Sequence, residues 1–402
     1  MASRFGRALA LVALGTATAW SASWPARLDD PSLKSLLETG LRHGYPGFAM
    51  LVREPDGRLS GVAAGYASIE QKRPLKLDDA FNLASITKTF TAIATLRLVD
   101  AGQLSLDAKL PQLLTNSIVG CIPYANEITL RQLLDHSSGI YPTNNDLKYL
   151  NTIVGRNADP HRVWTAEQLV ALACNPDAKP VARPGEGHHY SDTNYELLGL
   201  IVARTAHEPF KQHVTNTILK PLRMAHTYFY SDRLGTGPTN AGRVTQGYML
   251  YSDDLRKVIS ISPIFKPVPG TRFKNTTLAG ERIDSVAGIV TTLPDLMRYA
   301  HALFSGTLLS PKTQRFLMAA ANGMEKMPLD KPRTSTLQAM RKTYGVLLYK
   351  EGDGAGGVNT LMAYRPSTGT IYLGFTNSFG YFDEIDFMMD NVIGKLDAPA
   401  HH

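Results

Sequence analysis

The sequence predicts an α+β protein: an antiparallel sheet of about five strands, gathered from both chain ends and flanked by helices, with an inserted all-α lobe. Three observations carry this expectation. Short apolar runs separated by Gly, Pro and Asp turn signals lie near the two ends, and capped apolar helices fill the middle. The length of 402 residues exceeds what one core usually serves, which calls for two lobes. The α/β lobe is expected over about 30–84 and 282–400 and the mainly helical lobe over about 85–281.

Residues 1–23 read as a signal peptide. Arg4 and Arg7 make a basic start, Ala8 to Ala19 an apolar stretch of about a dozen residues, and Ser21-Ala22-Ser23 a small-x-small cleavage site. The stretch is short for a span with such flanks, although an uncleaved N-terminal anchor is the other option. The mature chain, 24–402, is expected to be secreted or periplasmic, with no stable membrane span. Losing Arg4 and Arg7 lowers the formal net charge from +7 to +5. The basic residues form no run and no interleaving with aromatics, so nucleic acid is not an expected partner.

Phe48–Val52 and Leu59–Ala63 flank Pro55-Asp56-Gly57 and predict a hairpin. Tyr344–Tyr349, Leu361–Tyr364 and Ile371–Phe375 supply three more strands. Between these ends, Thr129 can cap a helix over Leu130–His136, and Thr165 with Gln168 forms a capping box ahead of Leu169–Ala173. Helices are also expected over Asn194–Ala203, after Pro209, and from Thr292 to Phe304. Cys121 and Cys174 are the two cysteines; an exported chain favours their disulfide over a pair of buried thiols.

The chemistry is expected at Phe81–Phe90. Ser85 and Lys88 are three residues apart at the entry of a helix, so their side chains share one face. A serine hydroxyl needs an adjacent base, and a lysine in a pocket can be one. The pair alone is common. Behind it, however, Phe90, Ala92, Ile93, Ala94, Leu96, Leu98 and Val99 line nearly every side of the helix up to Ala101-Gly102. The helix is therefore buried, and a lysine on its first turn calls for a function.

These stretches, together with Leu133–Gly139, Tyr190–Tyr195, Lys220-Pro221-Leu222 and Val286–Thr292, resemble the serine β-lactamase and penicillin-binding superfamily. The branch is that of class C β-lactamases, D-alanyl-D-alanine carboxypeptidases, D-aminopeptidases and related esterases. The resemblance spans nearly the whole mature chain. It implies a serine hydrolase without cofactor or metal, Ser85 as nucleophile, Lys88 as its lysine, and Tyr190 as proton shuttle. Asp192 stands where the family's Tyr-x-Asn motif has asparagine. A carboxylate accepts and does not donate unless protonated, which puts recognition of an amide carbonyl in doubt.

The family's third motif, Lys-Thr-Gly or His-x-Gly on an edge strand, falls by its trailing glycines on Gly352-Asp353-Gly354, with the basic residue missing and Lys350 out of phase. On that alignment Ala355 N–H joins Ser85 N–H in an oxyanion hole, with Gly354 or Gly356 as alternatives. The resemblance then points to small-molecule substrates (esters, β-lactams or D-amino-acid peptides), with esters turned over fastest. The alternatives are a carboxypeptidase or β-lactamase type of amide hydrolase, and a non-catalytic periplasmic binding protein of the same fold. His188 and His189 lack a third ligand and read as loop residues; His136 reads as part of a helix end. No Gly-x-Ser-x-Gly elbow supports a Ser-His-Asp triad.

Overall fold

The computed structural model describes residues 44–162, 164–233, 244–252, 260–279, 283–319 and 347–380, with a few isolated residues outside these ranges. The expected signal peptide, 1–23, and the strand start at 344–346 lie outside the described residues.

Strands β1 (Gly47–Arg53) and β2 (Leu59–Ser68) form the hairpin, in a register that pairs Gly47 with Gly65 and Arg53 with Leu59. The turn closes where Gly57 takes φ +91°, which an L side chain rarely adopts. β3 (Arg73–Pro74) extends this hairpin, and β4 (Phe81–Asn82) leads into the Ser85 turn. Helix α1 (Thr87–Asp100) follows, and eleven of its fourteen residues are buried. Helices α2 (Leu130–Leu134) and α3 (Ala166–Val170) begin with the Thr129/Gln132 and Thr165/Gln168 capping boxes. α4 (Asp192–Ala206) packs against α1.

The middle of the chain is not purely helical. β5 (Tyr228–Phe229), β6 (Tyr248–Leu250) and β7 (Phe273–Asn275) lie within it, and β8 (Ile289–Thr291) joins β4 and β5 in a small sheet. α5 (Leu293–Phe304) starts at the Thr292 cap and packs on the main sheet. The last part contributes β9 (Glu325–Lys326), β10 (Leu348–Gly354), β11 (Val358–Arg365), β12 (Thr370–Thr376) and β13 (Ser378–Phe379).

The main sheet has seven strands in the order β3-β2-β1-β12-β11-β10-β9. Five are long; β3 and β9 are two-residue edges, so the expected five-strand sheet is present with short additions. The two chain ends meet where β1 pairs antiparallel with β12, Phe48 opposite Thr376. β9 pairs only with Leu348 and Tyr349, so beyond Tyr349 the outer edge of β10 has no partner strand among the described residues. That edge meets the Ser85 turn.

Aromatic contacts tie β4 and α1 to their surroundings. Phe81 stacks on Phe375 at 4.2 Å, and Phe90 stacks on Tyr299 of α5 at 3.6 Å between ring centres. A Cys121–Cys174 disulfide, with Cα atoms 5.2 Å apart, closes 53 residues of the helical region. In the chain-entropy view such a link contributes about 4 kcal/mol.

Candidate active site

Ser85 sits in a single helical turn, Ala84–Ile86, between β4 and α1. Ala84 has φ +45°, a left-handed conformation that costs an L residue roughly 1–2 kcal/mol, and its N–H donates to Asn82 Oδ1 at 2.6 Å. This strained corner turns Ser85 out of the backbone run. It half-exposes Ser85 to the cleft while Lys88 stays fully buried.

Three polar groups converge there. Lys88 Nζ donates to Ser85 Oγ at 2.8 Å, and Tyr190 OH donates to the same oxygen at 2.8 Å. Lys88 Nζ also donates to the Val286 carbonyl at 3.3 Å and lies 2.9 Å from Asp192 Oδ1. The i, i+3 spacing places Ser85 beside Lys88 across the junction of the Ala84–Ile86 turn and α1, whereas Tyr190 and Asp192 arrive together at the start of α4. Asp192 is buried and faces the lysine, so its carboxylate partners a cation first and lines the cleft second.

The third motif lies two residues earlier than the trailing glycines suggested. A Cβ on Gly352 would overlap the Leu83 carbonyl oxygen and lie 2.9 Å from Ser85 N, so only glycine lets the strand come this close to Ser85. A Cβ on Gly354 would meet nothing nearer than 3.7 Å. The glycine of close approach is therefore Gly352, and the motif reads Lys350-Glu351-Gly352. Two residues apart on one strand share a face, which puts Lys350 on the side of Ser85. Lys350 is 3 % exposed, and its Nζ lies 4.8 Å from the centre of the Tyr190 ring. The basic group expected to be missing is in the site.

Gly354 and Ala355 line the cleft at the hairpin turn between β10 and β11, where Gly357 N–H donates to Gly354 O at 2.9 Å. Gly356 faces a smaller cavity behind that turn, against Ala279. Asp353, next to Gly352, opens on the cleft but is crowded by protein on its other sides. Burial pushes its carboxyl above the usual range, Lys88 pulls it back, and Asp192 adds to the rise.

The cleft has a volume of about 600 Å³. Its floor carries Ser85, Tyr190 and Lys350; Asn144, Leu147 and Leu150 line another part of it. Asn144 escaped the sequence reading; its Oδ1 accepts from Asp192 N–H at 3.1 Å. His136 is more than a helix end. It does stop α2 with φ +57°, but its ring is buried 4.5 Å from that of Tyr190. His188 lines the cleft, and the ring of His189 bonds the Glu186 carbonyl. Among the described residues no group of His, Cys, Asp and Glu is arranged to hold a metal ion, and no helix is long and apolar enough to cross a membrane.

Comparison with known proteins agrees with this architecture. The chain is 29 % identical over 279 residues to a penicillin-binding protein of Bacillus subtilis (strain 168), covering 69 % of this chain and 56 % of that protein. It is 28 % identical over 201 residues to the flp protein of Staphylococcus aureus (strain COL), covering 49 % and 38 %. The chain thus spans about half or less of the length of these curated relatives. Among solved structures, the D-amino acid amidase of Ochrobactrum anthropi SV3 superposes with a TM-score of 0.73 at 23 % identity, covering 91 % of this chain and 98 % of that one. A penicillin-binding protein of Bacillus halodurans gives 0.67 at 21 % identity, covering 89 % and 98 %. These likenesses show a shared fold. The family model for beta-lactamases matches residues 33–388, nearly the whole described chain, and the protein belongs to the beta-lactamase family.

Proposed function

We propose that this chain is an exported serine hydrolase that forms an acyl-enzyme on Ser85 and turns over esters fastest. The observation that carries the reading is the double contact on one oxygen: Lys88 Nζ and Tyr190 OH each lie 2.8 Å from Ser85 Oγ. In the attacking state one member of the pair is in its base form, Lys88 as an amine or Tyr190 as a phenolate, and takes the proton of Oγ as Oγ attacks a substrate carbonyl carbon. The new oxyanion is held by Ser85 N–H and, with Gly352 as the motif glycine, by the N–H of the next residue, Asp353. The carbonyl–oxygen bond of the ester then breaks, Tyr190 returns the proton to the leaving alkoxide, and water releases the acyl group by the same steps.

The ester preference rests on charge and donors. Asp192, Glu351 and Asp353 place three carboxylates around the cleft against the two ammonium groups of Lys88 and Lys350. Asp192 accepts hydrogen bonds where an amide would also donate to an amide substrate. Lys350 supports a second reading, hydrolysis of amides or D-amino-acid peptides, because a buried ammonium beside Tyr190 assists proton delivery to a leaving nitrogen. The solved relatives named as D-amino acid amidase and D-stereospecific amidohydrolase fit that second reading.

One panel separates them: p-nitrophenyl butyrate, a chromogenic cephalosporin, a D-amino acid amide and a D-Ala-D-Ala peptide, with intact-mass detection of the acyl adduct. The ester should give the highest kcat/KM, and the adduct should map to Ser85. A higher kcat/KM for any of the amides overturns the ester reading, and an adduct on another serine overturns the nucleophile. Export rests on the signal-peptide pattern and on the Cys121–Cys174 disulfide, which persists in oxidising compartments. N-terminal sequencing of the mature protein should begin at Trp24.

A further inference from the structure

We propose that His136, as a neutral imidazole, is the positioning residue that holds the Tyr190 phenol on Ser85. It rests on the Ser85 acyl-enzyme reading and adds to it a residue that touches neither Ser85 nor substrate.

His136 grips Tyr190 from three directions. Its carbonyl accepts from His189 N–H at 2.7 Å, on one side of Tyr190 in the chain. Its Nδ1 accepts from Ser191 N–H at 3.3 Å, on the other side. Between these two bonds the imidazole lies 4.5 Å from the Tyr190 ring at an interplanar angle of 32°. The left-handed backbone of His136, φ +57°, is a conformation that His, Asn and Asp visit more readily than other L residues.

The hydrogen bonds also set the tautomer. Ser138 Oγ donates to Asn194 Oδ1 at 2.5 Å, so the Asn194 amide presents Nδ2 to its other neighbour, His136 Nδ1, at 3.1 Å. With Ser191 N–H and Asn194 Nδ2 both donating to Nδ1, the ring proton is on Nε2. Protonating Nδ1 would set a donor against two donors.

The groups packed around the ring agree. Tyr190 and Tyr195 cover its faces at 4.5 and 5.0 Å, His188 meets it edge-on at 5.6 Å, and the residue is 2 % exposed. Burial first, then Lys350, Lys88 and His188, hold the imidazolium form well below the ordinary histidine range. Lys88 and Lys350 already lie 5.2 and 4.8 Å from the centre of the Tyr190 ring, so a neutral support is the one that adds no third charge. His136 Nε2 itself has no hydrogen-bond partner among the described residues. The ring is therefore tied only through the side that serves Tyr190.

Two substitutions separate the two holds. His136→Asn tolerates the left-handed backbone and keeps an acceptor near Nδ1, but lacks the ring. His136→Phe keeps a ring and lacks the acceptor. Each is made alone and in Tyr190→Phe, folding is checked by circular dichroism, and Ser85 labelling by a fluorophosphonate is timed alongside kcat and KM for p-nitrophenyl butyrate.

The expected result is a loss of about tenfold or more in labelling rate and kcat for His136→Phe, with KM within about twofold. His136→Asn should retain more activity than His136→Phe. In the Tyr190→Phe background both should change the labelling rate by less than about twofold, because the group they position is gone. Equal fold-losses in the two backgrounds, or wild-type rates in both single variants, overturn the proposal while leaving Ser85 in place. A wild-type chain that does not label at Ser85 overturns the acyl-enzyme reading and this inference with it.

Discussion

The two sides of the cleft are built on different principles. On the helical side, Ser85 and Lys88 meet because the Ala84–Ile86 turn runs straight into α1 and brings residues three apart onto one face, and a 2.8 Å hydrogen bond follows from local geometry. On the strand side, Lys350 and Gly352 reach the site only because β10 lies in one register against β11, with Lys350 opposite Met362 and Gly352 opposite Thr360. Thr360 Oγ1 sits between Leu83 O and Gly352 O, at 3.0 and 3.1 Å, where its one proton can be donated to either. A helical turn carries its chemistry within a few residues, whereas the β10–β11 hairpin meets the Ser85 turn through Thr360 and Leu83, 277 residues apart in sequence.

The sharpest way to test this asymmetry is to remove the helical side's reactive atom. Ser85→Ala should abolish acylation, with no adduct by mass spectrometry and a melting temperature near that of the wild type. Positioning and oxyanion donors alone leave only a small residual rate. An adduct that persists would show that the helix face does not hold the nucleophile.

The strand side can be broken without touching any side chain that does chemistry. Gly352→Ala places a methyl group against Leu83 O and within 2.9 Å of Ser85 N, both backbone atoms that cannot turn aside. The β10 edge must move out, and a misplacement near 1 Å costs about 10²-fold in rate. Gly354→Ala, with its nearest neighbours at 3.7 and 3.8 Å, should stay within about threefold by the same reasoning. Steady-state kinetics on the two variants decide the register. If Gly354→Ala is the damaging one, the motif lies where the trailing glycines first put it.

That register is also where reading the sequence stopped short. The Ser85–Lys88 pair, the buried helix behind it and the caps at Thr129, Thr165 and Thr292 depend on residues within a few positions of each other, and the structure has each of these elements. For β10, four acidic residues and glycines follow Lys350 in a row and two more glycines follow Ala355, so the glycine pattern admits several alignments. The Lys-x-Gly spacing of Lys350 and Gly352 was present as a signal, but Gly354, Gly356 and Gly357 offered a competing one. What separates them is the space beside Ser85 N, a long-range property. His136 was hidden for a similar reason: its partners Ser191 and Asn194 are 55 and 58 residues away.

Lys350→Ala tests whether the strand contributes charge as well as shape. The side chain is buried with its Nζ over the Tyr190 ring, so its loss removes a cation from the proton path while leaving Gly352 in place. Activity on esters should fall roughly 10-fold and activity on any amide substrate about 10²-fold, because a leaving nitrogen depends on its proton more than an alkoxide does. An equal fall on both classes would make Lys350 a structural support of Tyr190 only.

Asp192→Asn is the smallest change and bears on how the two sides share the substrate. Asp192 Oδ1 lies 2.9 Å from Lys88 Nζ, and the residue also lines the cleft, so it faces the helix-borne lysine and the substrate at once. Asparagine keeps an acceptor for Nζ and gains an N–H pair that can donate to a substrate carbonyl. Exchanging a charged bond for a neutral one should cost about 1 kcal/mol of stability, the gap between the two kinds of bond, read as a lower urea midpoint. Ester kcat/KM should change by less than about fivefold, since Lys88 keeps its bonds to Ser85 Oγ and Val286 O. The ratio of amide to ester kcat/KM should rise by about fivefold, the gain from one added neutral hydrogen bond of about 1 kcal/mol. A ratio that stays put would confine Asp192 to anchoring Lys88, and would leave recognition of the acyl group to the strand side and to Asn144.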